Sequence, residues 1–540
     1  MDEKTFNLYS NSSEEDRELI KKLLSLYPLS YEELSIYIEK FKNNAPEIQR
    51  DLLVLMDDFE KEFVMKIMHQ IPEITDELFL NLLVGIKTID NEVLSVEDYI
   101  QTKYNQIINK WHEKNPEFDM PNGVISLSVN DEEKYTKVGN NPHIDENSLY
   151  DIASMTKLYT EVILFRIIKE GKYGINLNTK LKDIKLFDGT NVKDLYPKLN
   201  LNMTIRELIS FNNSYITDTD IRNLDNRIDA LRALRTVHTD KVKEGNYLYT
   251  DLPIMILTDL LEKSTGKNYR ELLTEYIIKP LGLHNTYMDL DERNQQRYTG
   301  LNKNGVNDPK SNIIGGGGHA GVITDANDLL KFLSNIFKPG FIFDSNMDSM
   351  LFDMLGMTKT TNGKYAINGE KLDKIIAKLQ GLGVSEETIS KAMSEIQKQR
   401  ETGVSVIGNL NVVGEGFHNN DYTYDSLAPQ PLPYKAFMVQ GSTRVQGDVA
   451  DFVIDGKMYR TASSILIDIH NQYDNIKAKD QKSVKEYYVK GKGMMKMADA
   501  RKSGLGYFGG FYDQISNMLS IARIMEIYTQ YKKLNKKKTR

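Results

Sequence analysis

Ser148-Leu-Tyr-Asp-Ile-Ala-Ser-Met-Thr-Lys157 is the stretch on which the fold of this 540-residue chain turns. An apolar run continues from it to about Lys169, so the spacing predicts a helix beginning near Ile152. Residues three apart on a helix share a face about one turn apart, which sets Ser154 beside Lys157. A serine hydroxyl is a poor nucleophile until a neighbour takes its proton. A lysine in a partly desolvated pocket has a destabilised ammonium and can be that neighbour. The N-terminal helix dipole also favours negative charge developing on such a serine.

Working outward, a second Ser-x-x-Lys occurs at Ser264–Lys267. There Thr265-Gly266 closes an apolar helix and should break the alignment of the pair. Tyr249-Thr250-Asp251 stands directly before the helix Leu252–Glu262. A tyrosine near cations can relay protons between nucleophile and leaving group, so Tyr249 is a further candidate, although most of the 30 tyrosines must be packing residues. From Phe437 to Ile469, Val, Ile and Phe alternate with polar residues around a turn at Asp455–Gly456, which reads as a hairpin.

Five blocks in order carry a resemblance. Ser148–Lys157 resembles the active-site Ser-x-x-Lys segment of class C β-lactamases, D-alanyl-D-alanine carboxypeptidases and related esterases. Met203-Thr-Ile-Arg-Glu-Leu-Ile-Ser210 is similar to the stretch between their first two motifs. Glu244-Gly-Asn-Tyr-Leu-Tyr-Thr-Asp251 resembles their Tyr-x-Asn motif, and Ser264-Thr-Gly through Pro280-Leu-Gly-Leu283 continues the match. Gly315-Gly-Gly-Gly-His-Ala-Gly-Val-Ile-Thr-Asp325, followed by Asp328-Leu-Leu-Lys-Phe332, is similar to another recurrent segment. The agreement covers about residues 92–335.

The resemblance implies an α+β fold of the β-lactamase/transpeptidase type, an antiparallel sheet with a helical cluster packed on it and the site at their junction. It implies a serine hydrolase that forms an acyl-enzyme on an amide, lactam or ester, as β-lactamases, carboxypeptidases and esterases do. Ser154 would be the nucleophile, Lys157 its base and Tyr249 the second proton-transfer group. Asp251 stands where the family usually has Asn. A carboxylate accepts but does not donate hydrogen bonds, so Asp251 would pair with Lys157 instead of holding a substrate amide oxygen. The family's third motif, a Lys-Thr-Gly or His-Thr-Gly strand, is not matched. Its best counterpart is Val439-Gln-Gly-Ser-Thr-Arg-Val-Gln-Gly447, in which Gln440, Ser442 and Thr443 are the candidate substrate-binding residues and Arg444 the nearest cation. A backbone N–H on that strand would complete an oxyanion hole with that of Ser154.

Composition narrows the alternatives. Hydrophobic residues at 40% and charged residues at 27% suit a soluble globular chain of two or three structural units. The net charge of −7 offers no general basic surface to nucleic acid, and only Lys532–Arg540 is strongly basic. The absence of cysteine removes disulfides, thiol nucleophiles and Cys-based zinc sites. The eight histidines show no His-x-x-x-His or His-Glu-x-x-His spacing, so neither a metal nor another cofactor is expected. Gly315–Gly318 lacks a following Gly-Lys-Ser/Thr and reads as a cleft-edge loop, not a phosphate loop. Met1–Ile20 has no apolar core behind a positive start, and no stretch approaches the ~20 apolar residues of a membrane span. That points to the cytoplasm, whereas the family resemblance points outside it.

Three segments are expected. Residues 1–91 read as amphipathic helices, with caps at Ser12/Glu15 and Ser30/Glu33, a helical N-terminal extension suited to docking a protein partner. Residues 92–470 form the hydrolase domain, opened by a helix capped at Ser95/Asp98 that buries Trp111 and interrupted by a helical insertion at about 340–430. Residues 471–540 form a helical C-terminal segment, with helix over 482–532. The partner expected of the central domain is a small-molecule or peptide acyl substrate. Two other roles fit the same features: a catalytically silent binding protein, or a scaffold whose terminal helices carry the function.

Overall fold

The computed structural model describes residues 56–68, 76–114, 121–209, 214–240, 250–288, 308–342, 436–441, 445–468 and 509–538, with short strands at 358–359, 365–366, 406–407, 410–413, 486–489 and 493–496 and the single positions 71, 297 and 434. The caps expected at Ser12 and Ser30 lie outside the described residues. Of the helical insertion expected at about 340–430, the described residues beyond 342 are short strands, and Val406–Ile407 and Leu410–Val413 belong to the main sheet.

Among the described residues three helices come first: α1 (Asp58–Met68), α2 (Asp76–Asp90) and α3 (Val96–Lys114). Ser95 and Asp98 form the expected box ahead of α3, the Asp98 N–H donating to Ser95 Oγ at 3.0 Å and the Ser95 N–H to Asp98 Oδ2 at 3.3 Å. The main sheet follows, made of β1 (Asn122–Val129), β2 (Glu132–Val138), β3 (Val406–Ile407), β4 (Leu410–Val413), β5 (Ala436–Gly441), β6 (Val445–Ile454) and β7 (Lys457–Asp468). Its order is β2-β1-β7-β6-β5-β4-β3, and each neighbouring pair is antiparallel. Asp455 and Gly456 turn β6 into β7 with φ of 53° and 72°, the left-handed pair that a tight hairpin needs.

Between β2 and β3 the chain builds the helical cluster, whose chief members are α4 (Thr156–Glu170), α5 (Leu252–Thr265), α6 (Pro309–Ile314) and α7 (Ala326–Ile336). Strand side chains alternate between two cores. Val124, Phe437, Val439, Val445, Val449, Ala462 and Leu466 face the cluster, whereas Ile125, Leu127, Ala450, Phe452, Ile465 and Ile467 face the opposite side. That opposite side is covered by α1, α2 and α3 together with the C-terminal α8 (Gly509–Lys538). An α+β fold of the β-lactamase/transpeptidase type results, with helices on both faces of an antiparallel sheet.

The segments expected as separate N-terminal and C-terminal helical pieces thus meet: Phe63 of α1, Leu83 of α2 and Met525 and Tyr528 of α8 share one core with the sheet. Residues 482–532 are not helical throughout, as expected from sequence. Among the described residues, Glu486–Val489 pairs with Gly493–Lys496 as antiparallel strands, and helix runs from Gly509 to Lys538. Tyr487, Tyr488 and Val489 favour extended backbone, and Gly491 and Gly493 interrupt any helix between them. No helix among the described residues is long and apolar enough to cross a membrane.

A fully buried polar cluster helps fasten α8 to the sheet, beside the Gln530 Nε2 bond to the Val129 carbonyl at 2.8 Å. Arg523, fully buried, is ion-paired with Asp448 of β6 and donates to Ser463 Oγ of β7 at 2.8 Å. Ser463 Oγ donates in turn to Asp448 Oδ2 at 2.6 Å, and the guanidinium lies 5.2 Å from the ring centre of Tyr434. Removing one member of a buried pair strands the other charge, at a cost of about 3–5 kcal/mol. Arg523→Met should therefore lower unfolding stability by about that much in urea titrations, and adding Asp448→Asn should recover part of the loss. Equal stability of wild type and Arg523→Met would show that this ion pair is not needed to dock α8.

Candidate active site

Ser154 sits where an extended segment is forced into a helix. Tyr150 and Asp151 pair with Thr324 and Ile323, and the Ile152 N–H donates to the Val322 carbonyl at 3.0 Å. The chain then turns at Ala153, whose φ of +45° is left-handed and costly for a residue with a Cβ. Asp151 Oδ1 holds that turn by accepting the Ala153 N–H at 2.8 Å. A single 3-10 turn, Ala153–Met155, leads into α4, so Ser154 lies at the head of the helix and is partly exposed.

Lys157, fully buried one turn on, has its three donors directed at three separate elements. Nζ donates to Ser154 Oγ at 3.1 Å, to Asp251 Oδ1 at 2.7 Å and to the His319 carbonyl at 2.9 Å. Asp251 occupies the N-cap position of α5, yet its side chain makes no cap bond. Its second oxygen is ion-paired with Lys310 of α6. Asp308 caps α6, accepting the Ser311 N–H at 2.8 Å, and the same oxygen lies 3.0 Å from His319 Nε2. The glycine run that ends beside His319 packs tightly: a Cβ on Gly318 would lie 2.1 Å from Thr258 Oγ1, and Thr160 Oγ1 donates to the Gly318 carbonyl at 2.6 Å. These glycines let the loop lie against α4 and α5.

Electrostatics follow from this crowding. Burial alone would raise the carboxyl of Asp251, but Lys157, Lys310 and His319 outweigh it and hold the group well below the usual range. Asp308 is likewise raised by burial and brought down by His319 and Lys310, to about 2. Burial would lower Lys310, but Asp251 and Asp308 outweigh it and raise its ammonium. Asp251, Asp308 and His319 bring one donor atom each within 4.8 Å of one another, a spacing a metal ion could use. Two ammonium groups already lie on Asp251, so among the described residues this is an ion-pair network.

Of the residues singled out in the sequence, Ser154, Lys157 and Asp251 are together. Tyr249, Ser442, Thr443 and Arg444 lie outside the described residues, and the side chain of Gln440 is not described. The backbone of Gln440 is in β5, opposite Gln446. The next residue, Gly441, meets the serine turn closely: a Cβ there would lie 2.5 Å from the Ile152 carbonyl oxygen and 3.3 Å from Ala153 Cβ. The Ser264–Lys267 copy is a helix end. Ser264 Oγ donates to the Leu260 carbonyl at 2.7 Å, Lys267 is paired with Glu275, and Gly266 is left-handed. Sequence reasoning missed Lys310 and Asp308; the available signal was Asp308-Pro-Lys-Ser311, an Asx cap with proline at N1.

The chain is 23% identical over 235 residues to the D-alanyl-D-alanine-carboxypeptidase/endopeptidase AmpH of Escherichia coli (strain K12), covering 42% of this chain and 59% of that one. It is 26% identical over 175 residues to Protein flp of Staphylococcus aureus (strain MW2), covering 30% and 34%. The chain thus spans less than two thirds of the length of these relatives. Among solved structures, a class C β-lactamase from Rhodobacter sphaeroides superposes with a TM-score of 0.39 at 14% identity, covering 66% of this chain and 93% of that one. The Beta-lactamase family profile matches residues 109–427, more than half of the chain and inclusive of Ser154, Lys157, Asp251 and His319. The chain belongs to the Beta-lactamase family.

Proposed function

We propose that this protein is a serine hydrolase that acylates Ser154 with an amide, lactam or ester substrate. The observation that carries this is the 3.1 Å contact between Ser154 Oγ and Lys157 Nζ at the head of a buried helix. Neutral Lys157 takes the hydroxyl proton as Oγ bonds to the carbonyl carbon, and the carbonyl oxygen becomes an oxyanion. Collapse breaks the bond to the leaving group, which takes a proton through Tyr249. Water then hydrolyses the acyl-enzyme and restores the serine. The backbone of β5, in contact with the serine turn through Gly441, supplies the second oxyanion donor, and Gln440, Ser442 and Thr443 line the substrate beyond it. The names of the carboxypeptidase/endopeptidase and β-lactamase relatives suggest peptide or lactam amides as the class to test first.

A catalytically silent binding protein is favoured by one feature. Lys157 already donates to three acceptors, one of them a carboxylate that favours its ammonium form. An ammonium cannot accept the serine proton, so that reading predicts no covalent adduct at any pH.

Exposure to a fluorescent β-lactam and a fluorophosphonate should label the wild type and leave Ser154→Ala unlabelled. The substitution should change stability by about 1 kcal/mol or less. Labelling that survives in Ser154→Ala would sink the assignment of the nucleophile. Gly441→Ala forces β5 and the serine turn apart, and a displacement near 1 Å can cost about 100-fold in rate. Its acylation should fall by about 10- to 100-fold while the far-ultraviolet circular dichroism is retained; an unchanged acylation rate would remove β5 from the site.

A further inference from the structure

We propose that Lys310 is a positioning residue that shares the negative charge of Asp251 with Lys157, so that the Asp251–Lys310 pair stands in for one neutral side chain beside the catalytic amine. This rests on the acyl-transfer reading above and concerns the same site.

The geometry carries it. The two oxygens of Asp251 are divided, Oδ1 to Lys157 and Oδ2 to Lys310. Lys157 is fully buried, whereas the Lys310 side chain keeps 20% exposure, so Lys310 is the outer of the two lysines. Lys310 is brought there by a dedicated element: Asp308 caps α6, Pro309 opens it, and the first side chain after the proline reaches Asp251.

The charged groups facing the cluster among the described residues carry both signs. From α6 and the loop after it come Asp308, Lys310 and His319, the histidine lying on Asp308. From the turn Ile221–Asn223 comes Arg222, bound to Asp220 at 2.9 Å and within range of Asp251 and Asp308. From α4 itself comes Glu161, fully buried and one turn beyond Lys157, whose carboxyl burial drives well above the usual range and so toward its neutral form. Lys157, Lys310 and Arg222, with His319 adding positive charge beside Asp308, therefore face three carboxylates, Asp251, Asp308 and Asp220. Asp251 alone would bind the proton of Lys157 tightly and impair it as a base. Lys310 offsets that charge without occupying the position from which Lys157 meets Ser154.

The test is the pH dependence of acylation by a fluorescent β-lactam or fluorophosphonate, measured on the full chain. Acylation requires neutral Lys157, so its rate rises with pH through the titration of that amine. Lys310→Met leaves the whole Asp251 charge on Lys157 and should move the rise upward by about one pH unit. Asp251→Asn removes the anion while keeping Lys310 and should move it downward by a similar amount. The double variant Asp251→Asn/Lys310→Met should bring the rise back to within about half a unit of wild type, and Lys310→Arg should restore it. A purely structural role for Lys310 would lower the thermal midpoint of Lys310→Met and leave the position of the rise alone. An unmoved rise in a Lys310→Met protein that still labels overturns the charge-sharing proposal, as does a double variant displaced as far as Lys310→Met. Absence of labelling in every variant and in wild type at every pH overturns the acyl-transfer reading, and this proposal with it.

Discussion

A buried ammonium has to be met by acceptors, and Lys157 organises the site through that requirement. Burying an unpaired charge is costly, so all three of its donors need oxygen partners. They are supplied by Ser154 on the same helix, by Asp251 at the start of α5 and by the carbonyl of His319. One side chain thus ties together the head of α4, the head of α5 and the glycine-rich loop. The placement of Asp251 then dictates where Lys310 and Asp308 lie, and the tight packing of Gly318 on Thr258 and Thr160 follows from bringing His319 close.

The same economy governs the sheet. Both faces of β1, β5, β6 and β7 are apolar because both are covered, and the polar residues on these strands are met individually. Ser126 and Ser464, cross-strand partners, lie 2.5 Å apart through their hydroxyls. Asp448 and Ser463 are answered by Arg523 from α8. A helical layer built from the two ends of the chain is therefore part of the sheet's core, not an appendage to it.

How much of this could be read from the sequence depended on how local the signal was. Ser154 and Lys157 are three residues apart on one helix, so their contact follows from helical geometry alone. The Asp455–Gly456 hairpin and the Ser95/Asp98 cap are equally local and form as expected. Asp251 was legible as a partner of Lys157 because it opens a helix at a recognisable block, though its alternative role as a helix cap is not used. Lys310 and Asp308 were not legible: their value comes from a three-dimensional approach between α6 and α5 that no periodicity encodes. The helix expected over 482–532 failed at 486–489 and 493–496, where Tyr487, Tyr488 and Val489 favour extended backbone and Gly493 weakens a helix. The union of the first and last helices in one core was hidden for a related reason. Amphipathic helices announce an apolar face but not its partner.

The pairing of β1 with β7 has a kinetic consequence. Asn122 is registered with Asp468 and Val129 with Thr461, so residues from opposite ends of the domain must find each other before the sheet closes. Contacts of such long sequence separation demand their loop entropy in advance and slow the search. The helical cluster that carries Ser154, Lys157, Asp251 and Lys310 lies wholly inside that loop and can condense on its own, more local contacts. On a ribosome it would emerge complete while β5, β6 and β7 were still unmade, exposing the apolar surface that those strands later cover. The serine–lysine pair would then exist in a half-built protein that still lacks the strand packed on its turn at Gly441.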